Sequence, residues 1–285
     1  MTKNQLIWTL KICSFFIFFG RAYEHLFWDS PFRALLWDQQ MIEGIVENIF
    51  NTPWNEYVTS NKTDAFIQNT IRINGLFYAV CAAMSLIINI DSNKYIKYLL
   101  NLGGVSLILL SFLLSKTKFF HVAMFFEHAI QFGVPFVLLY LIKTKNNFSK
   151  IVLPLKILTA LTFTSHGLYA IGIVYPLPGQ FVAMTLTTLP LTEDIAKQFL
   201  LSAGLLDFLA VLFMFIPRLQ KIGMLYAFFW GTATAFARIL TGLSYDISFS
   251  ILHQYLYATI YRIPHGLIPL ILYYFIKNSS AKKVF

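Results

Sequence analysis

Eight apolar runs, each about 20 residues long, constrain this chain more than any other feature of its sequence. A helix of that length crosses roughly 30 Å of hydrocarbon, and inside hydrocarbon the backbone has to satisfy its own hydrogen bonds. We therefore predict an all-α, polytopic membrane helical bundle with eight transmembrane helices in a single integral membrane domain, residues 1–285. The runs lie near 7–28, 71–90, 96–115, 119–142, 153–174, 198–217, 222–242 and 253–276.

The charge balance is best explained by a membrane and not by nucleic acid. Hydrophobic residues make up 57% of the chain and charged residues 12%, a balance too apolar for a soluble domain of this length. The lysines behind the net charge of +9 are scattered through short connectors and are not gathered on one basic face. We expect the lipid bilayer as a partner and no nucleic acid.

The basic residues also predict how the chain is oriented. They concentrate at both termini and in alternate connectors, so the positive-inside rule makes both termini cytoplasmic, in agreement with an even number of spans. Lys116 and Lys118 are exceptions on the outer side. The residues on the predicted cytoplasmic side are Lys3, Lys94, Lys97, Lys143, Lys145, Lys150, Arg218, Lys221, Lys277, Lys282 and Lys283.

One long outer connector, 29–70, carries a helical pattern of its own. Asp29, followed by Ser30 and Pro31, has the form of a helix N-cap with proline at the first turn. Apolar residues then recur at helical spacing, from Leu35 to Ile49. This pattern predicts an amphipathic helix over the outer mouth of the bundle, either as a lid or as a shield for the interface.

The two halves of the chain resemble each other. The run from Pro135 to Lys143 matches the run from Pro269 to Lys277 without gaps in its Pro, Tyr, Ile and Lys positions. Each run ends a group of four spans. The match predicts two four-helix repeats, 1–145 and 146–285, which are parallel because four is even.

Ionisable side chains interrupt these runs at depths where hydrocarbon is expected. Counting 1.5 Å per residue places them in the outer half or near the middle of the membrane, so we infer a pocket that is reachable from the outer side. The candidates for ligand binding or proton handling are Arg21, Glu24, His25, Glu127, His128, His166, Asp207, Arg238, Arg262 and His265.

These candidates have structural as well as functional interpretations. Arg21 and Glu24 share a helix face and are suited to an ion pair that fixes helix packing. Glu127 and Asp207 either pair with Arg238 or Arg262 or serve as proton-handling carboxylates.

The histidines form a second group of candidates. His128, His166 and His265 can relay protons, or two of them can ligate a b-type haem. No His-x-x-x-His or Glu-x-x-His spacing predicts a metal site.

The Gly20-Arg21 pair near the end of the first span, small residues in the second and third spans and a proline in the fourth give a layout that resembles the DoxX-like superfamily. The doubled arrangement is similar to the horizontally transferred transmembrane (HTTM) group. The resemblance implies a bacterial inner (plasma) membrane protein linked to redox chemistry, with quinone as a cofactor and a redox partner subunit. No catalytic motif of the family matches residue by residue, and the long 29–70 insert departs from its usual short first connector.

Two classes of function follow. The first is a redox-linked membrane subunit that holds a quinone-like or other small amphiphilic ligand in the outer-half pocket, with haem as the less favoured cofactor. The alternative is a solute-binding or transport protein with its site between the two parallel repeats, or a membrane scaffold without a ligand. The sequence leaves open whether the chain is an enzyme.

Overall fold

The computed structural model describes residues 1–242 and 248–281 of the chain, and every regular element in these ranges is helical. Lys282 and Lys283 of the predicted cytoplasmic end lie outside the described residues. The helices are α1 (Lys3–Phe27), α2 (Arg33–Leu36), α3 (Gln39–Ile49), α4 (Trp54–Thr59), α5 (Asn61–Ile87), α6 (Lys94–Lys116), α7 (Val122–Glu127), α8 (Ala129–Lys143), α9 (Val152–Ile171), α10 (Gly179–Thr188), α11 (Glu193–Phe215), α12 (Gln220–Gly242), α13 (Ser248–Ile260) and α14 (Pro264–Ala281).

Within the described ranges, five helical segments are long and apolar enough to cross a membrane: α1, α5, α6, α9 with its preceding turn, and α11. Their outward faces carry large apolar side chains such as Leu102, Leu205 and Leu212, each more than half exposed. Water disfavours such surfaces, whereas lipid tails accept them. The predicted all-α class is confirmed, and five of the eight predicted spans correspond to these segments.

Two predicted spans are broken and not continuous. The run 119–142 divides into α7 and α8 at His128, and the run 253–276 divides into α13 and α14 at 261–263. At the first break the free backbone N–H of Ile130 donates to Thr162 Oγ1 at 3.2 Å. At the second, Pro264 has no N–H to leave unpaired. Both breaks therefore satisfy the backbone groups that an interrupted helix releases.

The bundle has two distinguishable ends. Asn278 Nδ2 donates to the carbonyl of Met1 at 3.0 Å, so the start of α1 and the last turns of α14 meet. We call this the terminal end; the connectors 88–93, 144–151 and 216–219 lie there too. The opposite end, the loop end, carries the connectors 28–60, 117–121 and 172–192.

The connector 28–60 forms a small helical layer at the loop end. Ile42 and Val46 of α3 are buried against Trp54, whereas Met41 and Ile45 on another face are more than 40% exposed. The predicted amphipathic helix is therefore present.

The start of that helix was predicted wrongly. Asp29 leads only into a turn and the four residues of α2, whereas Asp38 caps α3 by accepting from the Met41 amide. Asp29 instead accepts from Arg33, and this side-chain bond competes with capping.

Close helix contacts hold α1 at the centre of the bundle. It packs on α5 and reaches α8, α13 and α14. A Cβ at Gly20 would lie 2.7 Å from the backbone nitrogen of Tyr261, so only glycine permits this approach to the second break. The helix that carries Arg21 is thus in direct contact with the segment that carries Arg262.

Candidate functional site

Arg21 is only 2% exposed and is held by three neighbours. Its Nη1 donates to Glu24 Oε2 at 2.7 Å, and Nε and Nη2 donate to Gln131 Oε1 at 3.1 and 2.7 Å. The guanidinium also lies 3.9 Å from the centre of the Tyr261 ring. The charge is neutralised and hydrogen-bonded, and Arg21 joins α1, α8 and the second break.

His25 is likewise fully engaged. Its Nδ1 donates to the Arg21 carbonyl at 2.7 Å, and Ser30 Oγ donates to its Nε2 at 3.0 Å. Both ring nitrogens are used within the α1 region, so His25 serves to fix the exit of α1.

Glu127 lies at the end of α7, where the two halves of the chain meet. Arg262 Nη2 donates to Glu127 Oε1 at 3.1 Å, and His166 Nε2 lies 3.4 Å from the same oxygen. Arg262 Nη1 donates to Tyr261 Oη at 2.6 Å, while its Nε has no hydrogen-bond partner among the described residues. A single carboxylate therefore faces one arginine and one histidine.

The other histidines lie close to this group. The rings of His166 and His265 have centroids 5.6 Å apart. His265 is 1% exposed, and neither of its nitrogens has a hydrogen-bond partner in the described part of the chain. His128, at the first break, donates from Nδ1 to the Met124 carbonyl at 2.8 Å.

A cavity of about 380 Å³ opens beside these residues, between α9, α10, α11 and α12. We call it the α9–α12 cavity. Its walls are mostly apolar and include Phe181, Met184, Phe199, Leu200, Trp230 and Phe236. Its ionisable lining residues are His166, Asp207, Arg238 and Arg262. Phe199, Phe236 and Leu240 are also 37–51% exposed on the outside of the bundle, so the cavity borders the surface that a bilayer would cover.

Asp207 lies in the cavity wall without a cation. Tyr226 Oη donates to its Oδ1 at 3.1 Å, and across the described ranges no basic nitrogen lies within 4.0 Å of its carboxylate. The predicted pairing with Arg238 or Arg262 is therefore not formed by Asp207. Glu127 forms the bond to Arg262 instead.

Arg238 has the least compensated charge of the candidates. No described acid lies within ion-pair distance of it, and its Nε is buried without an acceptor. It lies near the loop end of α12 and lines the cavity. The structure thus brings His166, Asp207, Arg238 and Arg262 to one cavity. Arg21, Glu24 and His25 form a network around α1, which Tyr261 links to Arg262.

Sequence reasoning missed several residues of the site. Gln131 accepts from Arg21, and Tyr226 holds Asp207. An amide within an apolar run, as at Gln131, was a usable signal. The whole of α10 was also missed, although Phe181, Met184, Thr185 and Thr188 recur at helical spacing and line the cavity.

The arrangement can be compared with the needs of particular cofactors. In the described residues no three His, Cys, Asp or Glu side chains are grouped so that they can hold a metal ion. A bis-histidine haem needs two imidazoles on one large cavity, yet only His166 of the three histidine candidates lines the α9–α12 cavity. A quinone fits better, because His166, Arg238 and Arg262 offer donors to carbonyl oxygens and the apolar walls suit a tail.

Comparisons with protein-family models, with curated proteins and with solved structures give no match to this chain. The function therefore has to be argued from the cavity and the charges around it.

Proposed function

We propose that this protein binds a small amphiphile in the α9–α12 cavity. The observation that carries the proposal is one cavity of about 380 Å³ that combines mostly apolar walls with two arginines and a histidine. Pockets for small organic ligands measure roughly 300–1,000 Å³ and have this character. Apolar walls suit a hydrocarbon tail, and the cationic and imidazole groups suit a headgroup with electron-rich oxygens.

The route of entry also favours an amphiphile. Phe199, Phe236 and Leu240 belong both to the cavity wall and to the apolar outside of the bundle. A ligand dissolved in the bilayer can reach the cavity sideways. The described residues that line the cavity all fall between 166 and 262, within the second predicted repeat, so the alternative site between two repeats gains no support here.

The proposal includes eight membrane-crossing segments in two repeats. Besides the five long apolar segments, α12 and the broken pairs α7–α8 and α13–α14 complete the set. The helix neighbours support this: α1 packs on α5, α8, α13 and α14, and α9 packs on α11, α14, α7 and α8. His128 and Arg262, at the two breaks, precede Pro135 and Pro269 by the same interval.

The membrane and its orientation are part of the same proposal. From the alternation of lysine-rich connectors we infer that the terminal end faces the cytoplasm and that the α9–α12 cavity lies in the outer half of the membrane. A bacterial inner membrane is proposed from the resemblance to the DoxX-like superfamily alone. The hydrogen bond between Asn278 and Met1 supports a common side for both ends of the chain.

Redox linkage through a partner subunit rests on the resemblance to the DoxX-like superfamily. A bound quinone would supply reversible two-electron, two-proton chemistry. Arg238, Arg262 and His166 would hold its carbonyl oxygens, with Glu127 behind His166 able to take part in proton exchange.

Filling the cavity tests the binding proposal. Ala203 is buried in the cavity wall on α11, so Ala203→Phe removes space for a tail. We expect it to lower the affinity of the purified protein for single-chain amphiphiles and for a short-tailed quinone by at least tenfold, measured by ligand-induced thermal stabilisation. Leu201→Phe, on the exposed face of the same helix, is the control and should leave binding unchanged. Equal binding by both variants contradicts the proposal.

A further inference from the structure

The charge at the α9–α12 cavity is unbalanced. Arg238 and Arg262 both line it, and Glu127, which does not line it, already bonds to Arg262 and faces His166. This leaves Arg238 without a counter-charge among the described residues. The inference below rests on the proposed function, since it concerns the ligand of the same cavity.

Asp207 does not supply the missing charge. It is held by Tyr226, which precedes Arg238 by about 18 Å along the axis of α12. The acid and the arginine therefore lie at different depths of the cavity. At that separation they form neither an ion pair nor a hydrogen bond, so Asp207 does not satisfy the buried Nε donor of Arg238.

Two side chains that line the cavity each hold one donor that is not used. Arg238 Nε and Arg262 Nε are buried and have no acceptor in the described part of the chain. Buried guanidinium groups are normally satisfied, and an unpaired one is costly in an apolar surrounding. A carboxylate is the acceptor that best matches a guanidinium group in charge and geometry, and both arginines line the same cavity.

We propose that the α9–α12 cavity binds a single-chain amphiphile whose headgroup carries one negative charge, a long-chain carboxylate. Arg238 and Arg262 bind the headgroup, and the chain lies along Phe199, Leu200 and Trp230 towards the level of Asp207. A neutral headgroup leaves Arg238 unpaired. A cationic headgroup adds repulsion.

The test compares headgroups on one chain. The purified protein in phosphatidylcholine nanodiscs is titrated with palmitic acid, with 1-hexadecanol and with decylubiquinone. We expect palmitate to bind at least tenfold more tightly than hexadecanol. Arg238→Gln should remove that preference by weakening palmitate binding at least tenfold and by more than it weakens hexadecanol binding, whereas Arg238→Lys should keep most of the preference. Arg218→Gln, at an exposed position of the terminal end, is the matched control and should change nothing.

The outcomes separate this inference from the proposed function. If palmitate, hexadecanol and decylubiquinone bind equally and Ala203→Phe abolishes all three, the amphiphile site stands and the anionic headgroup is wrong. Tighter binding of decylubiquinone than of palmitate also overturns the inference. If none of the three binds, both proposals fail.

A stability measurement guards against a hidden partner for Arg238. Asp246 lies in the segment 243–247, outside the described residues. Arg238→Gln should leave the unfolding midpoint of the ligand-free protein unchanged or higher, because no ion pair is lost. If Arg238→Gln and Asp246→Asn each lower the midpoint and the double variant lowers it no further, the arginine is already paired and the inference is overturned.

Discussion

At the scale of single residues, the interior of this bundle neutralises most of its charges in specific pairs. Arg21 is bonded to Glu24 and Gln131, and Glu127 is bonded to Arg262. An isolated charge in hydrocarbon costs several kcal/mol, and paired groups avoid most of that cost. Asp207 and Arg238 depart from this pattern, and both line the α9–α12 cavity.

The pair between Glu127 and Arg262 should be strongly coupled. Glu127→Gln or Arg262→Gln alone leaves one buried charge without its partner, and each should lower the free energy of unfolding by about 3 kcal/mol. The double variant should lose clearly less than the sum of the two. Reversible unfolding of the purified protein in mixed micelles measures this cycle.

The control for that cycle is the surface pair of Glu193 and Lys197, separated by 2.6 Å on an exposed helix face. Water screens this pair, so we expect a much smaller coupling. Additive losses at Glu127 and Arg262 would contradict an energetically significant pair.

At the scale of helices, breaks and close contacts decide where the site lies. In one straight helix over α13 and α14, the direction of the Arg262 side chain would be fixed by the helix. The break at 261–263 instead brings Tyr261 against Arg21 and Arg262 against Glu127. Likewise α10, a helix of a connector, closes one wall of the cavity. The short helix α10 and the break at 261–263 thus position residues of the candidate site, and the long helices hold them in place.

The contact between α9 and α11 depends on glycine. A Cβ at Gly204 would lie 2.8 Å from Ile171 Cγ2 and 3.0 Å from the Gly167 carbonyl oxygen. Gly204→Ala should therefore push these helices apart and lower the free energy of unfolding by about 1–3 kcal/mol. Gly44→Ala in α3 meets nothing closer than 3.8 Å and should be neutral or stabilising by up to about 1 kcal/mol. Equal effects of the two variants would show that the α9–α11 contact is not tight.

The attachment of the 28–60 connector should depend on pH. The ammonium of Lys116 and the Met41 amide hold the pKa of Asp38 below its usual 3.8. Because the folded pKa is depressed, the stabilisation is complete above the unfolded pKa and is lost as the pH falls through the folded one. We expect the protection factors of the α3 amides, which correct exchange rates for their intrinsic dependence on pH, to fall below about pH 4.

Asp38→Asn provides the check on this pH dependence. Asparagine still caps α3, so the variant removes the ion pair alone. Its exchange should be faster than the original at pH 7 and should lose the step at acidic pH. A step of unchanged size in Asp38→Asn would assign the effect to another group. Asp91→Asn, in an exposed turn, should behave like the original protein.

At the scale of the whole molecule, the proposed eight spans make a sharp topological prediction. Cysteines introduced at Thr117 and Asn51, at the loop end, should react with an impermeant thiol reagent in intact cells. Cysteines at Asp91 and Ser149, at the terminal end, should react only after permeabilisation. The native Cys13 and Cys81 are buried and should not react with the reagent. The opposite labelling pattern would reverse the orientation, and mixed labelling within one end would reject the eight-span arrangement.

Much of the bundle was predictable from the sequence because few backbone structures are stable in the hydrocarbon of a membrane. Runs of about 20 apolar residues permit few structures other than membrane-spanning helices, so α1, α5, α6, α9 and α11 were found. Most of their ends lie within five residues of the predicted runs, but α5 begins at Asn61, ten residues before the predicted start at 71. The breaks at His128 and 261–263 were not found as such. At the first break a tertiary partner, Thr162, accepts from a free backbone N–H. Such a partner lies far away in the sequence, so a local hydropathy pattern does not indicate it.

Part of the candidate site could likewise be predicted from the sequence, and part could not. The residues that carry charge were visible at once, since an arginine or acid inside an apolar run has no local reason to be there. The choice of partner was not visible. From the sequence, Glu127 and Asp207 were equally suitable partners for Arg262. The packing of α7 against α9, close to the second break, brings Glu127 and not Asp207 to Arg262.

By itself, the sequence determined that this chain is an all-α bundle with apolar, membrane-compatible helices and ionisable groups in its interior. The physical reason is that an unsatisfied backbone group or an unpaired charge is energetically costly in hydrocarbon. Long apolar runs and the few charges within them are therefore visible in the hydropathy of the sequence. Only the tertiary structure decided which charges neutralise each other, that α10 closes a cavity, and that Arg238 lines it without a described partner. Those facts depend on side chains from distant parts of the chain meeting within a few ångströms, and no local pattern encodes that distance.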